Sequence, residues 1–389
     1  MALEIVSLSL AKDGRMTDDR VFSRIRRLLP ACTDCFVFCP GWLDDPAETS
    51  QEARRCFALL EAAMGPLRDR VRPLRIALHW PSRPFAEDAR AHLADGLWPE
   101  LSRHLLRMSR IRAGVVTRLL MDLCGSEVPL SPEEEFELEG LHRRLDGAGP
   151  FDATRRSNLN ALKFWLMKRR AGDVGERFGR EHWAPFWDAQ AGGRHRLHLI
   201  GHSFGAALLT SSVLGGIRPQ SLTLLLGTFS AFAFAPGVPG MARPGFYRRV
   251  LSEDRVQGPI VVLHSRHDMA LGTLYGTTTA SGQTSHPTPR GAWSYLAKRV
   301  ATSPLGIVGA RGVDPAAVDL MEVQTIGLPR APIVNVDGSR IVRAQDPLLG
   351  AHRDIHHPEI ATLVLLAAGL LEAAPDGMRA RRLQPYVLA

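Results

Sequence analysis

Short apolar runs bounded by glycine, proline or charged residues recur along this chain, and they predict buried strands. The first run, Met1–Leu10, alternates apolar and polar residues like a half-buried strand. The later runs are mainly apolar and cover Cys35–Cys39, Arg75–Trp80, Leu197–Ile200, Gly258–His264 and Ala331–Asp337. Helical spacing predicts helices over Asn158–Gly172 and Ile360–Leu371, the second opened by Pro358 and Glu359. We expect these elements to close into one sheet system and residues 1–389 to form a single domain.

The stretch that follows the Arg75–Trp80 run has a helical pattern, and we assign residues 82–155 to a cap or lid insertion. Within Leu101–Leu123, apolar residues recur at helical spacing while arginines gather on another face. The interpretation that we favour is a cap helix packed on the core with a solvated basic face. The alternative is a lid whose apolar stripe contacts a lipid-like substrate or an anionic membrane surface.

The Leu197–Ile200 run leads directly into a G-x-S-x-G pattern, Gly201-His202-Ser203-Phe204-Gly205, and a helix-compatible segment rich in small residues follows. A serine hydroxyl is a poor nucleophile unless a base takes its proton and its oxygen is held exposed to attack. A sharp strand-to-helix turn exposes that oxygen, and Gly201 and Gly205 give the turn the room to close. The pattern therefore predicts Ser203 as a nucleophile, with the Phe204 N–H directed at a developing oxyanion.

With a strand before it and a helix after it, this motif makes the chain resemble an α/β-hydrolase. The resemblance implies an α/β fold with a mostly parallel central sheet flanked by helices, and a Ser-His-Asp triad in the chain order serine, acid, histidine. Asp268 follows the Gly258–His264 run, as the family's acid does. His352 follows Gly350 and Ala351 and precedes the Pro358–Glu359 helix start, which is the place of the family's catalytic histidine.

Other residues compete for two of these roles. His356 and His357 also lie in the last loop, but close enough to the following helix for capping or surface contacts. Asp337, Asp346 and Asp354 are alternatives to Asp268 as the acid, although Asp354 is only two residues beyond His352. We favour His352 and Asp268. The segment 271–330 between them is rich in glycine, threonine, serine and proline, and we interpret it as an excursion beside the active site with one helix, Ala292–Val300.

An oxyanion hole needs a second backbone N–H, which normally comes from the loop after an early strand. Pro40, Gly41 and Trp42 follow the Cys35–Cys39 run. Members of the family usually have His-Gly in this loop, and this chain has Pro-Gly. The glycine that allows a close backbone approach is kept, so Trp42 is the expected second donor; a plain type II turn is the alternative.

The composition is that of an ordinary globular protein, with 45% of the 389 residues hydrophobic and 23% charged. The start of the chain lacks the pattern of a signal peptide, and no run approaches the ~18 apolar residues of a membrane span. The five cysteines are an odd number, which argues against a disulfide framework. These features predict a cytoplasmic protein.

The formal net charge of +8 raises nucleic acid as a partner. The arginines are spread over several helices without interleaved aromatic residues or a known reader motif, so we expect no nucleic acid to bind. Neither a phosphate-binding glycine loop nor an H-E-x-x-H pattern occurs, and we expect no cofactor and no metal.

The activity implied by the resemblance is that of a serine esterase, carboxylesterase-like or lipase-like, acting on a small-molecule acyl ester through an acyl-enzyme. Thioesters and amides are alternative substrates for the same residues. A non-catalytic interaction protein with the same fold is the competing class, and the presence of all three candidate residues argues against it.

Overall fold

The computed structural model describes residues 4–42, 46–82, 167–191, 195–239, 243–271, 303–344, 346 and 349–372. The predicted insertion lies outside the described residues except for Ser82, and so do the apolar stripe Leu101–Leu123 and the predicted helix Ala292–Val300. Nothing in the described part therefore tests the predicted cap.

One sheet of eight strands runs through the described part of the chain, and neighbouring strands are parallel throughout. In chain order the strands are β1 (Val6–Ser9), β2 (Asp34–Cys39), β3 (Pro73–His79), β4 (Arg196–His202), β5 (Ser221–Leu225), β6 (Ile260–His264), β7 (Ala316–Asp319) and β8 (Ile333–Asp337). Their order across the sheet is β1-β3-β2-β4-β5-β6-β8-β7. The carboxyl ends of β4, β5, β6 and β8 therefore lie side by side at one edge of the sheet.

Helices cover both faces of this sheet. They are α1 (Arg20–Leu28), α2 (Pro46–Met64), α3 (167–178, continued by a π-helical turn at Gly179–Trp183 and by Ala184–Ala191), α4 (Phe204–Leu214), α5 (Arg248–Ser252), α6 (Leu305–Val308), α7 (Leu320–Ile326) and α8 (Pro358–Ala367). Helices α1, α3 and α4 share one hydrophobic cluster, and α2, α7 and α8 share another. Side chains of the six inner strands enter both clusters, which is the arrangement of a three-layer α/β domain.

Strand β2 shows this division residue by residue. Cys35, Val37 and Cys39 belong to the cluster with α3 and α4, whereas Phe36 and Phe38 belong to the cluster with α2 and α8. All six residues of β2 are buried. A central parallel strand covered on both faces reads as an unbroken apolar run, which is why the sequence pattern predicted it.

Helix α4, which follows the G-x-S-x-G pattern, is buried along almost its whole length. Helix α3 packs against it with almost no gap between the two backbones. A Cβ atom on Gly175 would lie 2.1 Å from the Leu208 carbonyl oxygen, and one on Gly179 would lie 2.3 Å from that of Ser212. These glycines let α3 approach α4 backbone to backbone and so fix the helix that follows Ser203.

The predicted α/β architecture with a mostly parallel sheet flanked by helices is confirmed, but two strands were not predicted. Strand β5 (Ser221–Leu225) carries two polar residues that interrupt its apolar run, although both are buried. Strand β7 (Ala316–Asp319) is a short edge strand of small residues that pairs with β8. Because β7, α6 and α7 lie within 271–330, the described end of that segment, from 303 onward, contributes to the main sheet and its flanking layers.

Candidate active site

The strand-to-helix turn at Ser203 has a strained backbone. Ser203 adopts φ 56° and ψ −121°, and positive φ is uncommon for a residue with a side chain. The Ser203 N–H donates to the Leu225 carbonyl at 3.0 Å, and the Ser203 carbonyl accepts from the Ala206 N–H at 3.1 Å. These bonds hold the residue in a conformation that places its side chain at the carboxyl edge of the sheet.

Two glycines leave room for this turn. A Cβ atom on Gly201 would lie 2.5 Å from the Ala206 Cα, and one on Gly205 would lie 2.1 Å from the Cys39 carbonyl oxygen. Real Cβ atoms essentially never approach so closely, because the overlap costs more than local relaxation can recover. Both positions therefore need the small residues that the motif provides.

The Ser203, His352 and Asp268 side chains form one continuous chain of hydrogen bonds. Ser203 Oγ lies 2.8 Å from His352 Nε2, and His352 Nδ1 lies 2.7 Å from Asp268 Oδ2. The other carboxylate oxygen, Asp268 Oδ1, accepts from the Leu271 N–H at 2.9 Å. The Asp268 side chain is wholly buried, and the His352 side chain keeps 13% of its surface exposed. The structure thus brings together the three residues that the sequence favoured.

The loops that carry Asp268 and His352 are joined by backbone hydrogen bonds. The Ala351 N–H donates to the His267 carbonyl at 3.0 Å, and the Ala270 N–H donates to the Leu349 carbonyl at 3.2 Å. Gly350 adopts φ +58° at this contact, where a Cβ atom would lie 2.6 Å from the His267 carbonyl oxygen. Since β6 and β8 are neighbours in the sheet, the loops after them meet, and these bonds fix the acid relative to the histidine.

His202, the residue before the candidate nucleophile, is a contact that sequence reasoning missed. Its Nε2 lies 2.8 Å from the His352 carbonyl oxygen. Burial, together with the nearby His352, lowers the pKa of His202 well below its ordinary value, so the ring stays neutral. A neutral ring with its proton on Nε2 donates to that carbonyl and ties the end of β4 to the His352 loop.

Thr228, in the loop after β5, is a second contact that sequence reasoning missed. Its Oγ1 lies 2.9 Å from Ser203 Oγ, and its backbone N–H donates to the Ser203 carbonyl at 3.3 Å. Only 1% of Thr228 is exposed. The strand before it, β5, was itself not predicted, and no motif along the chain indicated this contact.

The competing histidines have other partners. His356 Nε2 lies 2.5 Å from Glu52 Oε2, and His357 Nε2 lies 2.7 Å from Asp354 Oδ1. The structure therefore directs both rings to carboxylates outside the Ser203 hydrogen-bond chain.

The competing acids likewise accept hydrogen bonds from other groups. Asp354 Oδ2 accepts from the backbone N–H of Arg343 and from that of Ala344, each at 2.8 Å. Asp337 Oδ1 accepts from the Ser339 N–H at 2.8 Å, and Asp346 Oδ1 from the Leu349 N–H at 2.8 Å. Asp337 and Asp346 thus stabilise their own turns, and Asp354 connects its loop to residues 343–344.

The loop Pro40–Trp42 lies directly against Ser203. A Cβ atom on Gly41 would lie 2.6 Å from Ser203 Cβ and 3.1 Å from Ser203 Oγ. The Trp80 Nε1–H donates to the Pro40 carbonyl at 3.2 Å, and the Trp42 and Phe204 rings meet edge to face with centroids 6.3 Å apart. The loop expected to supply the second oxyanion donor is thus held beside the candidate nucleophile.

The described ranges contain neither a metal-binding cluster nor a membrane-spanning helix. No group of three or more histidine, cysteine, aspartate or glutamate side chains there is arranged to hold a metal ion. No helix within those ranges has both the length and the apolar character needed to cross a bilayer.

Comparison with protein-family models, with curated proteins and with solved structures gave no match.

Proposed function

We propose that this chain is a serine hydrolase of the α/β-hydrolase fold that cleaves acyl esters through an acyl-enzyme. The observation that carries the proposal is the Ser203–His352–Asp268 hydrogen-bond chain, which begins at a strained turn between a central strand and a buried helix. A strained serine, a buried carboxylate and a largely buried histidine joined by hydrogen bonds are costly features for a purely structural role. They suit nucleophilic catalysis.

The hydrogen bonds assign the protons in this chain. Both oxygens of the Asp268 carboxylate accept, one from the Leu271 N–H and the other from His352 Nδ1–H. The neutral His352 ring then has a lone pair on Nε2, which accepts the Ser203 hydroxyl proton. This arrangement of protons is the tautomer that a general base for serine requires.

The reaction follows from these positions. Ser203 Oγ attacks the acyl carbonyl carbon while His352 Nε2 takes the hydroxyl proton, and Asp268 stabilises the imidazolium that forms. The Phe204 and Trp42 N–H groups hold the negative charge on the carbonyl oxygen. The tetrahedral intermediate expels the alcohol, which receives the proton from His352. Water, activated by the same histidine, then attacks the acyl-enzyme, and the carboxylic acid leaves as Ser203 regains its proton.

The position of the site in the sheet supports the proposal. Ser203 follows β4, Asp268 follows β6 and His352 follows β8, so all three lie beyond the carboxyl ends of parallel strands. Ligands of open α/β sheets bind at this edge. An ester is the substrate class that we favour, and a thioester or an amide would use the same atoms.

Labelling with a fluorophosphonate tests the proposal. The wild-type protein should be labelled at one site and should hydrolyse p-nitrophenyl esters, and Ser203→Ala should abolish both while its circular dichroism spectrum stays unchanged. A panel of acyl chain lengths, with thioester and amide analogues, then assigns the substrate class. Failure of the wild-type protein to react with any of these probes would favour a non-catalytic interaction protein, and labelling that persists in Ser203→Ala would place the nucleophile elsewhere.

A further inference from the structure

We infer that Thr228 is a further catalytic residue of this site, and that its hydroxyl accelerates the release of the acyl group from Ser203. The inference rests on the proposed function, because it concerns the Ser203 oxygen that would become acylated. It is carried by the 2.9 Å contact between Thr228 Oγ1 and Ser203 Oγ.

Thr228 is held firmly in this position. It follows β5, the strand next to β4, and its N–H donates to the Ser203 carbonyl at 3.3 Å. Leu226, two residues earlier, adopts φ 49°, and the Gly227 carbonyl accepts from the Gly306 N–H at 3.0 Å. The strained turn after β5 and the strained turn at Ser203 thus face each other with both backbones fixed. Because Thr228 is 1% exposed, bulk water has little access to its hydroxyl.

The position of the Ser203 hydroxyl proton determines which residue donates in the Thr228–Ser203 hydrogen bond. Ser203 has one hydroxyl proton, and in the resting site it is directed to His352 Nε2 at 2.8 Å. Ser203 Oγ can therefore only accept from Thr228, whose hydroxyl proton is the donor. Two groups act on one oxygen: His352 receives its proton, and Thr228 donates to one of its lone pairs.

This donation affects the stages of the reaction unequally. In the free protein Ser203 Oγ is a hydroxyl oxygen, a good acceptor. In each tetrahedral transition state the same oxygen carries partial negative charge, and bonds to charged oxygens are the stronger ones. In the acyl-enzyme it is an ester oxygen, whose lone pair is delocalised into the carbonyl and which accepts weakly. Thr228 therefore stabilises the free enzyme and the transition states relative to the acyl-enzyme.

The consequence is confined to one half of the cycle. Acylation begins at the free enzyme, in which Thr228 already donates to Ser203 Oγ, so this hydrogen bond strengthens only a little on the way to the transition state and changes the acylation rate little. Deacylation begins at the acyl-enzyme: water bonds to the acyl carbon, the bond from that carbon to Ser203 Oγ breaks, and Oγ receives its proton from His352. Thr228 donates to the departing oxygen during this step and so accelerates it.

A p-nitrophenyl carbamate separates the two halves, because carbamoyl-serine hydrolyses slowly enough to be isolated. Release of p-nitrophenol reports acylation, and loss of the carbamoyl mass from intact protein reports deacylation. Thr228→Val replaces the hydroxyl by a methyl group of similar shape. We expect its acylation rate to stay within about twofold of wild type and its deacylation rate to fall about tenfold, the loss expected of one hydrogen bond to a partly charged oxygen.

Two variants serve as comparisons. Thr228→Ser keeps the hydroxyl and should restore the deacylation rate. Thr223→Val alters another buried threonine, on β5 itself, and should leave both rates unchanged. If Thr228→Val does not fold, as judged by circular dichroism, Thr228→Ala removes the same hydroxyl with less risk of overpacking and carries the same expectation.

The outcomes are distinct. A parallel fall in both rates would mean that Thr228 only positions Ser203, and unchanged rates would mean that its bond has no role in the reaction; either result overturns the inference while the proposed hydrolase function stands. A wild-type protein that is neither carbamoylated nor labelled by a fluorophosphonate would overturn the proposed function, and the role of Thr228 with it.

Discussion

Replacement of Asp268 by asparagine should nearly abolish turnover while leaving the fold intact, because the structure dictates how the new amide must lie. Oδ1 of residue 268 accepts from the Leu271 N–H at 2.9 Å, and that N–H can only donate. The amide oxygen of Asp268→Asn must therefore keep this place, and its NH₂ group must face His352 Nδ1. An NH₂ group can only donate, so Nδ1 becomes the acceptor and the ring proton moves to Nε2, where it blocks uptake of the Ser203 proton.

The magnitude follows from this change of tautomer. A correctly placed histidine in the wrong tautomer lowers kcat by about 10⁴-fold in serine hydrolases with such a triad, which corresponds to about 5.5 kcal/mol of activation free energy. We expect this loss in kcat for a p-nitrophenyl ester, with little change in KM, because the carboxylate does not contact the substrate.

Asp337→Asn and Asp354→Asn are matched controls, since each changes a carboxylate that accepts from backbone N–H groups outside the Ser203 hydrogen-bond chain. Both should retain kcat to within a few-fold. Near wild-type turnover in Asp268→Asn, at unchanged thermal stability, would refute the role given to Asp268. Loss of activity in Asp354→Asn or Asp337→Asn would instead identify that residue as the acid of the triad.

Other predictions concern the base, the nucleophile loop and the pH dependence of stability. His352→Ala should lower kcat by several orders of magnitude, whereas His356→Ala should be mild because its ring is paired with a carboxylate away from the nucleophile; steady-state kinetics of both variants decide whether the base is assigned correctly. Gly41→Ala should strongly reduce fluorophosphonate labelling, because its Cβ would lie 2.6 Å from Ser203 Cβ, whereas Gly237→Ala, with nothing within 4 Å of the new Cβ, should label like wild type. Equal labelling of these two variants would show that the Pro40–Trp42 loop can shift to accommodate the added methyl group. Thermal unfolding between pH 7.5 and 5 should show the melting temperature falling below about pH 6.5, since unfolded histidines then bind protons that the folded ones resist; a flat profile would contradict this. The histidines whose pKa burial lowers from 6.5 are His79, His198, His202 and His264.

The sequence alone determined the features that depend on neighbours along the chain. A buried parallel strand is an apolar run because both of its faces are covered, so β2, β4, β6 and β8 could be predicted from their residues. The turn at Ser203 could be predicted for a similar reason, since the room it needs comes from Gly201 and Gly205, two positions to either side. The sequence signal for this turn therefore lies within five consecutive residues.

Two strands escaped prediction because their burial depends on partners that are distant in sequence. Ser221 makes the start of β5 look polar, yet its hydroxyl bonds to Nδ1 of the buried His198 at 2.9 Å. A polar side chain can be buried in a core only where it finds a hydrogen-bond partner, and the local pattern of apolar and polar residues does not reveal that partner. The edge strand β7 is too short and too exposed to produce a clear apolar run.

Only the tertiary structure decided which residues meet at Ser203. His352 lies 149 positions away along the chain and Thr228 lies 25 positions away, and both contact the same oxygen because β4, β5, β6 and β8 are neighbours at one edge of the sheet. That strand order is set by how helices pack on the two faces, and the competing histidines and acids bond to other partners. Local pattern specifies the elements and the nucleophile turn, whereas contacts between loops depend on the packing of the whole sheet, which no short window of sequence contains.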